Sequence, residues 1–220
     1  MKVTGNRRPA GMAGEGKTGG RARRRWQGPV QLGMLGGILL LLAACSGSAR
    51  TTYYTLAGST GSPRERPALS ARIPSLGVGP VYLPALLDRK GMVLRHDDYS
   101  VAVSGTHEWG GELEDEFAGA LADQLQARLP RTRLETIPWE LEQTPRYQLT
   151  VKVSRFDGIP GRSATLRGNW QYQQGVDGKL LKSSRFDLTY PATGTGVEAL
   201  VHAQAALVGD LADQMLDALE

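Results

Sequence analysis

The sequence predicts an α+β domain, a largely antiparallel sheet with two amphipathic helices packed on one face. Two patterns carry that expectation. Three segments after residue 146 alternate apolar and polar side chains with period two, so each can bury one face of a sheet, and two other segments repeat leucine at helical spacing. The first forty-odd of the 220 residues follow neither pattern, and the remainder has the length of a single domain.

Those first residues are basic and glycine-rich up to Arg23-Arg24-Arg25, then uncharged from Val30 to Ala44 through the run Gly37-Ile38-Leu39-Leu40-Leu41-Leu42. An apolar stretch this short, preceded by Pro29 and broken by Gln31 and three glycines, falls below the roughly 20 residues a spanning helix needs and reads as the hydrophobic region of a signal peptide. It closes on Leu42-Ala43-Ala44-Cys45, which resembles the lipobox of bacterial lipoproteins. The resemblance implies a signal peptide over residues 1–44, cleavage before Cys45, and covalent lipid on that cysteine, with diacylglycerol on its thiol and fatty acid such as palmitate. Ser46 stands where an aspartate usually signals inner-membrane retention, which implies export to the outer membrane with the domain facing the periplasm. Several acyl chains on one cysteine, each gaining about 0.8 kcal/mol per buried CH₂, anchor a protein durably.

Two features of this leader resemble functional motifs without completing them. Gly11 followed by Gly16-Lys17-Thr18 has the spacing of a phosphate-binding loop, but that chemistry needs a buried strand before the loop and a helix after it, and the flanking residues form neither pattern. Arg24-Arg25 alone leaves the export route open, and Met12 is an alternative start. Cys45 is the only cysteine, so no intramolecular disulfide forms. Eight of the 26 Lys and Arg and one of the 22 Asp and Glu precede Cys45, which leaves 18 and 21 in the mature chain and a net charge near −3 instead of the +4 of the full sequence. Nucleic-acid binding loses its electrostatic motive.

Residues 45–71 are rich in Ser, Thr, Gly, Pro and Arg and read as a lipidated tether with one short strand at Tyr53-Tyr54-Thr55-Leu56, ahead of a domain over residues 72–220. In that domain Leu76 to Leu83 forms a strand ending at Pro84, and Met92 to Arg95 and Tyr99 to Val103 form two more around the turn residues His96-Asp97-Asp98. From Gly110 to Leu129 the spacing of Leu113, Phe117, Leu121, Leu125 and Leu129 is helical. Glu112, Glu114, Asp115 and Glu116 crowd its first turns as a solvated face that complements the helix dipole. A short strand follows near Leu134 to Ile137. The three alternating segments then form a meander: Tyr147 to Val153, Leu166 to Tyr172, and Phe186 to Tyr190, with a wide turn at Gly158 to Gly161 and a hairpin signal at Asp177-Gly178. A last helix from about Gly196 presents Leu200, Leu207, Leu211, Met215 and Leu219 to the core, with Asp210, Asp213 and Asp217 facing away.

No catalytic constellation emerges. His96, His107 and His202 have no serine motif beside them and no metal-ligand spacing, and Gly161-Arg162-Ser163-Ala164-Thr165 lacks the second glycine of a nucleophile elbow. No metal and no cofactor is expected beyond the covalent lipid on Cys45. The candidates for a partner surface are apolar and aromatic residues in loops, Leu86, Leu87, Trp109 and Trp139, of which Leu86-Leu87 stands beside Asp88-Arg89.

Val81-Tyr82-Leu83-Pro84, Leu87-Asp88-Arg89, Met92-Val93 and Trp109 before a leucine-rich helix resemble the PqiC-type ABC-transport auxiliary lipoproteins. The similarity runs from about Thr52 to the C-terminus in element order. It implies a non-enzymatic outer-membrane lipoprotein that works with MCE-domain proteins in lipid transport between membranes and supports envelope integrity, with Leu87, Asp88, Arg89 and Trp109 as partner-binding residues. Assembly of several copies is left open. Gly110-Gly111-Glu112 departs from the bulkier, often proline-containing helix start of the family, so entry into that helix is expected to differ. The rival readings are a structural lipoprotein of outer-membrane or cell-wall assembly and a periplasmic hydrolase.

Overall fold

The computed structural model describes residues 50–58, 63–139 and 144–220. The signal peptide, the phosphate-loop look-alike, Cys45 and Ser46 lie outside the described residues. Eight strands form one mixed sheet: β1 (Thr52–Tyr54), β2 (Ser75–Tyr82), β3 (Gly91–Arg95), β4 (Val101–Trp109), β5 (Arg133–Thr136), β6 (Tyr147–Ile159), β7 (Ser163–Gln174) and β8 (Leu180–Pro191). Three helices accompany them, α1 (Pro67–Arg72), α2 (Leu113–Arg128) and α3 (Val197–Leu219).

β6 organises the sheet because its 13 residues serve two sets of neighbours. Along one edge it pairs antiparallel with β7 from Tyr147↔Gln174 to Ile159↔Ser163, and β7 pairs with β8, which gives the expected meander. Along the other edge its first half pairs parallel with β2 and its end, at Gly158, with β3. β3 and β4 make an antiparallel hairpin, while β1 lies parallel to β4 and β5 parallel to β2. Parallel pairing arises where helices or other strands intervene in the chain, a feature that local alternation does not encode.

The alternation buries what it should. Leu149, Val151, Leu166, Trp170 and Phe186 line the inner face, while Lys152, Arg167 and Arg185 are exposed or edge toward solvent. α2 packs over β2 and β5, α3 over β6, β7 and β8, and the two helices touch. Side chains larger than hydrogen have no room at Gly168, where a Cβ would strike the Lys152 carbonyl oxygen and the Phe186 ring.

The stretch expected as a tether contributes more than its strand. Leu56 is buried, α1 adds Leu69 and Ser70 to the interior, and Pro67 stands in its first turn, where a missing N–H costs nothing. No side chain caps the start of α2, and the Gly110 N–H donates to the Tyr54 carbonyl at 2.7 Å. Glu116 corrects the reading of a purely solvated acidic face, since its Oε2 accepts the Thr55 hydroxyl at 2.6 Å and the Leu56 N–H at 3.1 Å.

A second correction concerns α3. Asp213 does not face away. It accepts two bonds from the buried Arg128 guanidinium, from Nε at 2.8 Å and Nη2 at 2.6 Å, while buried Arg66 reaches Asp217 at 2.6 Å and Glu220 at 3.0 Å. The Arg66 N–H also donates to the Arg128 carbonyl at 2.7 Å. Two arginines thereby join the approach to α1, the end of α2 and the last turns of α3, and bidentate geometry gives that joint a fixed orientation.

Candidate partner surface

The loop between β2 and β3 is built inward from Leu87. Its N–H donates to the Pro84 carbonyl at 2.8 Å, the Asp88 N–H joins the same carbonyl at 3.2 Å, and the Arg89 guanidinium returns to the Ala85 carbonyl at 3.0 Å. Leu87, 4% exposed, is the buried peg of this turn, which leaves Leu86 (41%) with Asp88 and Arg89 on the surface. Tyr82 stands exposed just before the loop, with the Lys152 ammonium 5.7 Å from its ring centroid.

Trp109 lies in the core at 4% exposure, stacked on Phe156 with centroids 6.4 Å apart, and Phe156 meets Phe117 edge-on at 5.5 Å. These contacts join β4, β6 and α2. The Trp109 N–H donates to the Lys90 carbonyl at 2.8 Å, so the structure brings Trp109 against the end of the same loop. The residues chosen from sequence therefore divide into anchors, Leu87 and Trp109, and a presented set, Leu86, Asp88 and Arg89. Trp139 is half-buried and packs against Gly77. The histidines lie on three elements: His96 is exposed after β3, His107 on β4 lies beside the Ser104 and Thr106 hydroxyls and the Tyr54 ring, and His202 is exposed on α3.

An open groove of about 770 Å³ runs along α3, lined among others by Arg66, Arg128, Tyr190, His202 and Asp210. Its charges are of both signs and largely committed to the arginine joint.

The family model for the ABC-type transport auxiliary lipoprotein component matches residues 54–216. The chain belongs to that family. Its members are transport auxiliary lipoproteins, which makes this chain an auxiliary lipoprotein by family. No curated protein matches it. Among solved structures it resembles an uncharacterized protein, at TM-score 0.62 and 20% identity over 78% of this chain and 99% of that one. It also resembles a Xanthomonas campestris protein of family DUF330, at TM-score 0.59 and 16% identity over 75% of this chain and 92% of that one. Both show the fold. No described helix is long and apolar enough to cross a membrane.

A second arginine joint lies across the sheet. Asp157, buried on β6, accepts Arg95 Nε at 3.0 Å and Nη2 at 2.8 Å, and Arg155 Nε at 2.8 Å. Burial pushes this carboxyl up, but the bonds and charges of Arg95 and Arg155 outweigh it and hold it below the ordinary 3.8. Asp213 is also held low, chiefly by its bonds from Arg128 against opposing burial. A carboxyl lowered on folding binds fewer protons than in the unfolded chain, so its stabilisation is complete above the unfolded value and is lost as pH falls through the folded one. Asp210, raised by burial and by the negative Asp213, acts in the opposite sense. Urea midpoints will therefore fall as pH drops below the ordinary carboxyl value, and Asp157→Asn will flatten that dependence.

Proposed function

We propose that the mature chain begins at Cys45, carries lipid there, and acts as the non-enzymatic periplasmic auxiliary subunit of an MCE-type intermembrane lipid transport system at the outer membrane. The family assignment carries this reading. The lipobox and Ser46 support the anchor and the outer-membrane destination, and the PqiC-type resemblance supports the MCE-domain partner and a role in envelope integrity. The loop of Leu86, Asp88 and Arg89 is the docking surface: a rigid turn with an apolar side chain flanked by opposite charges, where complementarity fixes orientation as well as affinity.

The test is the double variant Leu86→Asp with Arg89→Glu. Both side chains are exposed and the one bond lost, from Arg89 to the Ala85 carbonyl, lies within the loop, so the domain stays folded, and binding to the MCE-domain protein will weaken by about tenfold or more, as for loss of a hot spot worth about 1.4 kcal/mol or more. Unchanged affinity would remove the loop from the interface.

A further inference from the structure

The hairpin of β3 and β4 ends in a tip, residues 96–100, that is held more firmly than an idle surface turn needs. Arg95, fixed by Asp157, donates from Nη1 to the carbonyls of Asp97 (3.2 Å) and Asp98 (3.1 Å). The Asp97 carboxylate then accepts the N–H groups of Tyr99 (2.8 Å) and Ser100 (2.7 Å) and the Ser100 hydroxyl (2.7 Å). The side chain these bonds present is Tyr99, which is 98% exposed. Ordering a backbone segment costs about 1–2 kcal/mol per residue in entropy, and here it is spent on an aromatic ring left in water.

The register of β1 says what faces that ring. β1 lies parallel to β4 with Thr52 opposite His107, so the chain before Thr52 comes from the side on which the tip lies. Cys45 precedes Thr52 by seven residues, and Ser100 precedes His107 by seven. At about 3.4 Å per residue both spans are about 24 Å. Seven residues reach at most about 24 Å, so a lipid on Cys45 anchors no farther from Thr52 than the hairpin tip extends beyond His107, and the tether is too short to carry an upright domain clear of the bilayer.

We propose that Tyr99 enters the headgroup region of the membrane that holds the Cys45 lipid, making the hairpin tip a second contact that sets the domain's orientation. Tyrosine suits that layer because its ring is apolar and its hydroxyl stays hydrated. The neighbouring Asp97, Asp98 and His96 offer no net positive charge, so the contact needs no anionic lipid and survives salt. The turn between β7 and β8, with Val176 87% exposed, lies at the opposite end of β6, about 40 Å away at 3.3 Å per residue, and points into the periplasm. This inference rests on lipidation of Cys45.

The lipid occupies the only natural cysteine, so Tyr99→Cys and Val176→Cys each supply one free thiol for an NBD fluorophore. Each full acylated protein is reconstituted into phosphatidylethanolamine and phosphatidylcholine vesicles, with and without lipid carrying a doxyl quencher. The label at 99 will be quenched several-fold more than the label at 176, with no change in high salt. Equal quenching at both positions in protein that floats with the vesicles would overturn the tip contact and leave the anchor standing. Protein with an unmodified Cys45 that fails to float would overturn the anchor and this inference together.

Discussion

Cys45→Ala will abolish recovery of the protein from the outer-membrane fraction and its labelling by radioactive palmitate. The effect is all-or-none because the proposed lipidation gives one residue the whole attachment. A single acyl chain of myristoyl length binds membranes only marginally, whereas several on one cysteine multiply a gain of about 0.8 kcal/mol per methylene into durable anchoring. No described helix is long and apolar enough to cross a membrane, and the tip contact proposed for Tyr99 orients the domain without holding it. The variant will be found as a precursor at the inner membrane or as soluble protein, and outer-membrane recovery equal to wild type would remove Cys45 from the account.

Trp109→Ala will cost about 3–5 kcal/mol, the range for deleting a buried aromatic ring and leaving a cavity. Against a total stability of about 5–15 kcal/mol for a domain, that brings the protein near unfolding at 37 °C. The loss has a defined anatomy. Trp109 stacks on Phe156, Phe156 meets Phe117, and through them β4, β6 and α2 share one aromatic cluster. The same substitution frees the carbonyl side of the β2–β3 loop only indirectly, because the Trp109 bond to Lys90 is made by the backbone and persists. Urea denaturation will show a lower midpoint at unchanged slope. A loss under about 1 kcal/mol would mean that the ring is not packed as described.

The sequence disclosed elements whose signal is local and periodic. α2 and α3 announce themselves by leucine spacing and the β6–β7–β8 meander by alternation, because one buried face recurs every turn or every second residue. α1 escaped because six residues hold too little periodicity to stand out from a polar, proline-rich stretch. The arginine joints escaped for a different reason. Arg128 meets Asp213 across 85 residues and Arg95 meets Asp157 across 62, and an arginine bound for the interior looks in sequence like any surface arginine. A signal did exist in Arg128, which falls on the apolar side of α2 next to Leu125 and Leu129. The candidate site shows the same division. Leu87 and Trp109, which carried much of the family resemblance, are buried, so that part of the motif encodes the fold, whereas Leu86, Asp88 and Arg89 are presented to whatever the domain meets. Sequence spacing cannot separate these two groups because a tight turn alternates buried and exposed positions without a fixed period.

The arrangement gives the auxiliary role a physical form: a domain joined internally by two arginine–carboxylate clamps, with β1 beside β4 and a structured loop between β2 and β3. Such a body suits a fixed adaptor between a membrane and a transport partner. The most direct test of that role is mass spectrometry of proteins cross-linked in intact cells to the tagged lipoprotein, beside the Cys45→Ala variant. The account predicts recovery of an MCE-domain protein that depends on Cys45; recovery of cell-wall or outer-membrane assembly factors alone would contradict it.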